Sequence, residues 1–173
     1  NRAEYGLLNH RPAAGFDPSF IVLSTLDLAV DSIYNRGADI ALQIRRMAFT
    51  ERSGLTVSDM TGDIGMDASG ISLAGVTLKT PFSRIEANIS AGEGILALAP
   101  DSPLKADLMA DVNTKDLKYL YPALIPPVLD GRIVSLALTA AGTLGDIGKA
   151  GLDISSPGHV AFTADGAARN VLD

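Results

Sequence analysis

The 173 residues carry 14 Lys and Arg against 20 Asp and Glu, for a formal net charge of −6, and contain neither Cys nor Trp. That balance repels phosphate backbones and argues against nucleic-acid binding, while the lack of Cys removes disulfides, thiolate metal sites and a Cys nucleophile. Apolar residues make up 47% and aromatic residues only 5%, which favours an aliphatic core or a hydrocarbon ligand over base- or sugar-stacking sites.

The chain opens without Met, and its first residues do not begin a signal peptide, so the expectation is a fragment of a longer protein. Residues 1–19 read as a linker or the end of a preceding strand region, with His10–Ser19 rich in Pro and Gly. From residue 20 the pattern alternates. Leu26, Leu28 and Val30 are separated by Asp27 and Ala29, and Ile40, Leu42 and Ile44 by Ala41 and Gln43. Ile71 with Leu73, Ile85 with Ala87 and Ile89, Leu104 with Ala106 and Leu108, and Leu136 with Leu138 continue it. Side chains of a strand alternate between faces, so this pattern predicts half-buried strands of an all-β domain over residues 20–166.

Turn signals separate these strands at Asn35-Arg36-Gly37, Arg52-Ser53-Gly54, Asp67-Ala68-Ser69-Gly70, Thr80-Pro81, Ala91–Gly94 and Asp101–Pro103. Gly75 marks a bulge, because the apolar phase shifts there between Leu73 and Val76. Thr114–Tyr121 breaks period two. Leu117, Leu120 and Tyr121 fall at helical spacing, Asn113 or Thr114 is placed to cap, and Pro122 follows, which predicts a short helix. Ala123–Leu129 is apolar but interrupted by Pro126 and Pro127, so it is expected to plug an end of the sheet. The tetrapeptide Gly62–Gly65 recurs as Gly145–Gly148 and suggests faint repetition. Residues 167–173 read as a tail continuing into further chain.

Chemistry-bearing motifs are sparse. His10 and His159 are the only histidines, there is no HExxH or G-x-S-x-G, and no P-loop or G-x-G-x-x-G phosphate cradle. Asp107 and Asp111 lie four residues apart on one strand face, roughly 13 to 14 Å, too far for a glycosidase pair. The densest basic group, Arg45-Arg46 with Arg52 nearby, alternates with apolar positions and reads as solvated surface. The expectation is a non-enzyme without cofactor or metal, whose apolar strand face is the candidate site. If such a face left ~1,000 Å² exposed, about 25 kcal/mol of burial would go unrealised, so it must be narrow, partly closed or occupied.

Several phrases are less generic. Leu26–Tyr34, Phe49–Leu55, Met66-Asp67, Ile71-Ser72-Leu73 and Leu78–Ile85 together resemble the TamB family of Gram-negative envelope proteins, and Asp116–Pro122, Leu129–Arg132 and Ala141–Ile147 resemble the related AsmA-like pattern of a short helix, a Gly-marked strand and a hairpin. The resemblance implies an elongated, curved antiparallel sheet, a β-taco or groove, with one short helix near residues 114–121. It further implies a periplasmic segment of a chain anchored in the inner membrane. Such a segment would take part in lipid transfer and outer-membrane assembly, with phospholipid or other acyl chains as ligands and an outer-membrane barrel protein as partner of the full-length chain. The groove lining it implies is Leu26, Leu28, Val30, Ile40, Leu42, Ile44, Ile71, Leu73, Ile85, Ile89, Leu104, Leu108, Leu136 and Leu138. The alternatives are a structural or adhesive β-sandwich or solenoid that binds protein and, less favoured, a β-solenoid carbohydrate-active enzyme.

Overall fold

A computed structural model describes residues 1–7, 15–17, 19–37, 39–68, 70–92, 99–121 and 125–169. Parts of the expected linker (His10–Ala14 and Pro18), Ser69, Glu93-Gly94, Pro122–Leu124 and the end of the tail lie outside the described residues.

Ten strands form one antiparallel sheet in which every strand pairs with its neighbours in sequence. They are β1 (Arg2–Gly6), β2 (Phe20–Arg36), β3 (Asp39–Glu51), β4 (Thr56–Asp67), β5 (Gly70–Lys79), β6 (Arg84–Gly92), β7 (Pro103–Asn113), β8 (Ile133–Thr143), β9 (Ile147–Ser156) and β10 (Val160–Ala168). The protein is thus mainly β, an open and curved sheet with one short helix, α1 (Thr114–Leu120). Short turns suffice because antiparallel neighbours need no crossover. The lead is not only linker, since Arg2–Gly6 pairs along the first part of β2. The expected tail is partly strand, since β10 runs to Ala168.

Two kinds of pairing divide the sheet. From β6 to β9 the register runs without interruption, from Arg84 opposite Asp111 through to Ala141 opposite Lys149. From β2 to β6 every pair is interrupted, with shifts at Ser24/Asp27, Val30/Ser32, Ile44/Met47, Thr61/Asp63 and Leu73/Val76. A bulge bends its strand and increases local twist, so curvature concentrates in this half. Gly75, expected at a bulge, has φ +57° and donates its N–H to Asn88 Oδ1 at 2.7 Å. Gly62 is a second hinge, with φ +141°, and a Cβ there would lie 2.7 Å from Val76 Cα. The Gly62–Gly65 and Gly145–Gly148 likeness is not a structural repeat: the first lies within β4, the second spans the turn into β9.

Helix α1 closes one end of the strands. Asn113 caps it, its Oδ1 accepting from the Lys115 N–H at 3.0 Å. Tyr121 is the C-cap and lies just past the helix, one residue short of the expected end. The Asp116 carboxylate is 5% exposed and accepts from Thr80 Oγ1 at 2.5 Å and from Ser83 Oγ, while Ser83 Oγ also accepts the Asn113 N–H at 2.9 Å. This ties the β5–β6 turn to the helix. A 3-10 turn at Pro127–Leu129 sits beside them, with Thr114 Oγ1 donating to Leu129 O at 2.6 Å. Pro126, Pro127 and Val128 are exposed, so the described part of this Pro-rich segment does not pair within the sheet, as its prolines require, and does not plug its end. Replacing Asp116 by Ala is expected to cost about 2 to 3 kcal/mol, because two hydroxyl donors lose a charged acceptor inside a buried cluster. Urea unfolding checks the size, and faster amide exchange at residues 80–83 and 114–120 checks the location.

Candidate functional site

Residues directly opposite one another in an antiparallel pair share a face. In the regular half, one row runs Ile85, Ala110, Leu136, Ile154, Phe162, and the next runs Ala87, Leu108, Leu138, Leu152, Ala164. A third runs Ile89, Ala106, Ala140, Ala150, Gly166. All three lie on the same face. The third row consists almost wholly of small side chains beside a row rich in Leu.

The same face continues into the bent half. Ile89 lies opposite Leu73, Leu73 opposite Ile64, Ile64 opposite Leu42, and Leu42 opposite Ile33. Ile71 follows Met66 to Ile40, and Ile44 lies between Gly62 and Val30. Leu28 pairs with Met47, whose partner is Met60. Leu26, two residues before Leu28, shares its face, and Leu104 lies opposite Ala91, the partner of Ile71. Thus all fourteen residues expected to line a groove stand on one face. Bulges in paired strands keep the apolar residues in phase, where an uncompensated one-residue slip would have turned them outward. Met47, Phe49, Val57, Met60, Val76, Leu78 and Val112 join the face without having been singled out as lining. The alternating neighbours of Val57 and Val112 carried that signal; for Met47 and Phe49 the bulges disguised it.

Burial varies along this face. Ile44, Val57, Ala87 and Ala110 are buried, whereas Leu28, Ile33 and Ile40 towards one edge are 51%, 72% and 38% exposed and Phe162 at the other is 53%. Among the described residues no second sheet covers it. At about 4.8 Å per strand, β2 to β10 extends roughly 38 Å, more than twice the ~15 Å that one leaflet contributes to a bilayer's hydrocarbon core.

The opposite face is polar. Arg45 meets Asp31 at 3.2 Å, Arg46 meets Asp27 at 3.6 Å, Lys79 meets Asp59 at 3.9 Å, and Arg84 meets Glu86 at 2.5 Å. The arginine group is therefore matched by acids from neighbouring positions. Such exposed pairs contribute little to stability and mainly keep the face solvated. An open depression of about 360 Å³ lies here, where Ser135, Ala137 and Ser155 leave space between Arg84, Glu86, Met109 and Asp153. It arises from small residues between long ones, and its acids are engaged: Asp111 accepts from Ser135 at 2.6 Å and Asp153 from Thr163 at 2.5 Å. Asp107 lies opposite Asn88 and Thr139 on this face.

The chain matches no protein-family model, no curated protein and no solved structure. Its chemistry is therefore read from geometry. Among the described residues no group of three His, Asp or Glu stands together in a way that could hold a metal ion. His159 is exposed in the β9–β10 turn, its N–H donating to Ser156 O at 3.0 Å.

One carboxylate interrupts the apolar face. Glu51, opposite Leu23 at the end of β3, is 4% exposed and its Oε2 accepts the Ser53 N–H at 2.6 Å. Burial pushes its pKa up, but hydrogen bonds from Ser53 and from the Arg52 and Val22 backbones pull it down by more, leaving it below the ordinary glutamate value. A lowered value in the folded state contributes stability that is present above the unfolded pKa, about 4.3, and is lost as pH falls through the folded one. Glu51→Gln is expected to flatten that acid limb in urea titrations run from neutral pH to pH 3. An unchanged slope would contradict the assignment.

Proposed function

We propose that this chain is a non-catalytic segment of a TamB-like, AsmA-like envelope bridge that holds phospholipid acyl chains against its apolar sheet face. The observation that carries the reading is the gathering of all fourteen lining residues on one face that no second sheet covers among the described residues, with a row of small side chains running across the strands. A row in that direction suits an extended hydrocarbon, because neighbouring strands lay apolar surface every 4.8 Å without presenting hydrogen-bonding backbone groups to it. The polar face keeps the segment in water while the other face holds lipid. Localisation in the periplasm, an inner-membrane anchor on the parent chain and a barrel partner follow from the family resemblance.

The test uses delipidated protein and a fluorescent fatty acid, with native mass spectrometry of the same sample mixed with phosphatidylglycerol. Saturable binding and retained lipid adducts are expected. A folded protein that binds neither would reject the proposal. An adhesive or scaffolding role on a closed sandwich is not favoured, since the described strands form one open sheet.

A further inference from the structure

The two edges of the sheet are unlike. Along the first, the short β1 covers only Phe20–Ser24 and carries the Arg2–Glu4 ion pair at 2.7 Å. Beyond it, β2 presents exposed Asp27, Asp31 and Arg36 and is broken by register shifts at Ser24/Asp27, Ala29/Val30 and Val30/Ser32. Short strands, charges and bulges are what keep an edge from pairing with another chain.

The edge at β10 lacks these features. Among the described residues no strand pairs with its outer side, all nine of its residues are exposed, and it runs in regular register against β9 from Val160 to Gly166, its one shift coming after that. It holds no Lys and no Pro, and its single charge is Asp165. The polar side chains lean inward. Thr163 Oγ1 donates to Asp153 Oδ1 at 2.5 Å, and a Cβ on Gly151 would lie 3.1 Å from Asp165 Oδ1, so both side chains reach over β9 and leave the outer backbone uncovered. On the apolar face Val160 and Phe162 are 38% and 53% exposed.

The strand is also complementary to itself. Two copies related by a twofold axis normal to the sheet pair antiparallel with like faces together, and the register that engages the whole regular stretch is centred on Thr163. It sets Val160 opposite Gly166, Ala161 opposite Asp165 and Phe162 opposite Ala164 of the second copy. No like charges face one another, and the Phe162 ring lies beside small residues.

We infer that β10 is a pairing edge that takes a second copy of this chain in a closed twofold dimer. Pairing with the β1 edge of a copy would engage only five residues and leave an open-ended array, whereas the twofold pair engages seven and closes. The two apolar faces then join, the row that ends at Phe162 running into the second copy's row that ends at Ala164. Backbone pairing does not depend on acyl chains being held.

Sedimentation velocity of the lipid-free 173-residue chain tests this, with a concentration-dependent dimer expected. Because the chain has no Cys, Thr163→Cys places one thiol per copy at the axis, where opposed Cα atoms lie about 4.5 to 5.5 Å apart, within reach of a disulfide. Oxidation should yield a covalent dimer, whereas Ala161→Cys, four residues out of register with its own copy, should not. Ala161→Asp opposes like charges twice and should raise the dissociation constant about tenfold, and Ala161→Lys, facing Asp165, should lower it by a similar factor. These positions are exposed, and circular dichroism checks that each variant is folded. A chain that stays monomeric at every concentration would overturn the inference, as would equal cross-linking of the two Cys variants or equal effects of Asp and Lys at position 161. Fatty-acid binding is read separately, so a monomer that binds it would reject the dimer and leave the acyl-holding reading standing.

Discussion

Leu108→Asp is expected to weaken fatty-acid binding about a hundredfold. Leu108 stands between Ala87 and Leu138 in the row that continues through Leu152 to Ala164, beside the row of small residues. A hydrocarbon laid along those rows would desolvate the new carboxylate without supplying a partner, and such burial costs several kcal/mol unless the chain avoids the site. Leu108 is half-buried in the free protein, so an Asp there keeps contact with water and a folded variant is expected. Circular dichroism and urea unfolding establish that before binding is read. Met109→Asp is the companion: the next side chain points to the polar face and is 65% exposed, so its binding should match the parent. Equal losses in both variants would mean that binding does not distinguish the faces.

Gly62→Val is expected to lower stability by about 3 kcal/mol, with a further effect on the shape of the sheet. A Cβ at Gly62 meets Val76 Cα at 2.7 Å, and the backbone sits at φ +141°, where side chains are strained. The clash is with backbone and cannot be relieved by a rotamer change. β4 and β5 must separate at the step where the register shifts between Thr61 and Asp63, which relaxes the bend in this half of the sheet. Gly166→Val is the contrast, since nothing lies within 4 Å of a Cβ there and no positive φ is involved. Chemical denaturation separates the two, and fatty-acid affinity of whatever Gly62→Val remains folded tests whether curvature matters for binding.

Much of the fold is legible in alternation alone. Leu104 to Val112 and Val134 to Leu138 read as strands because half-burial imposes period two, and the structure places β7 and β8 there. Thr114–Leu120 is legible through helical spacing and the Asn113 cap. Arg2–Gly6 is not. Its five residues are all exposed, so burial left no pattern on them, and only pairing with β2 makes them a strand. Gly62 carries no mark that distinguishes it from the chain's other glycines, because its role depends on the close approach of Val76 from the next strand.

The candidate face divides in the same manner. Sequence by itself determined which residues are apolar, their period-two spacing, the absence of metal-binding and nucleophile motifs, and the phase shift at Gly75; these are local properties of a strand. Whether Leu26, Ile44, Leu73, Ile89 and Leu138 share one face was decided only by the register across the strands, since each unpaired bulge reverses the phase and only a matching shift restores it. Tertiary structure also decided that no second sheet covers this face among the described residues and that Lys115 comes to rest over Phe82, because both depend on how segments far apart in the chain are arranged.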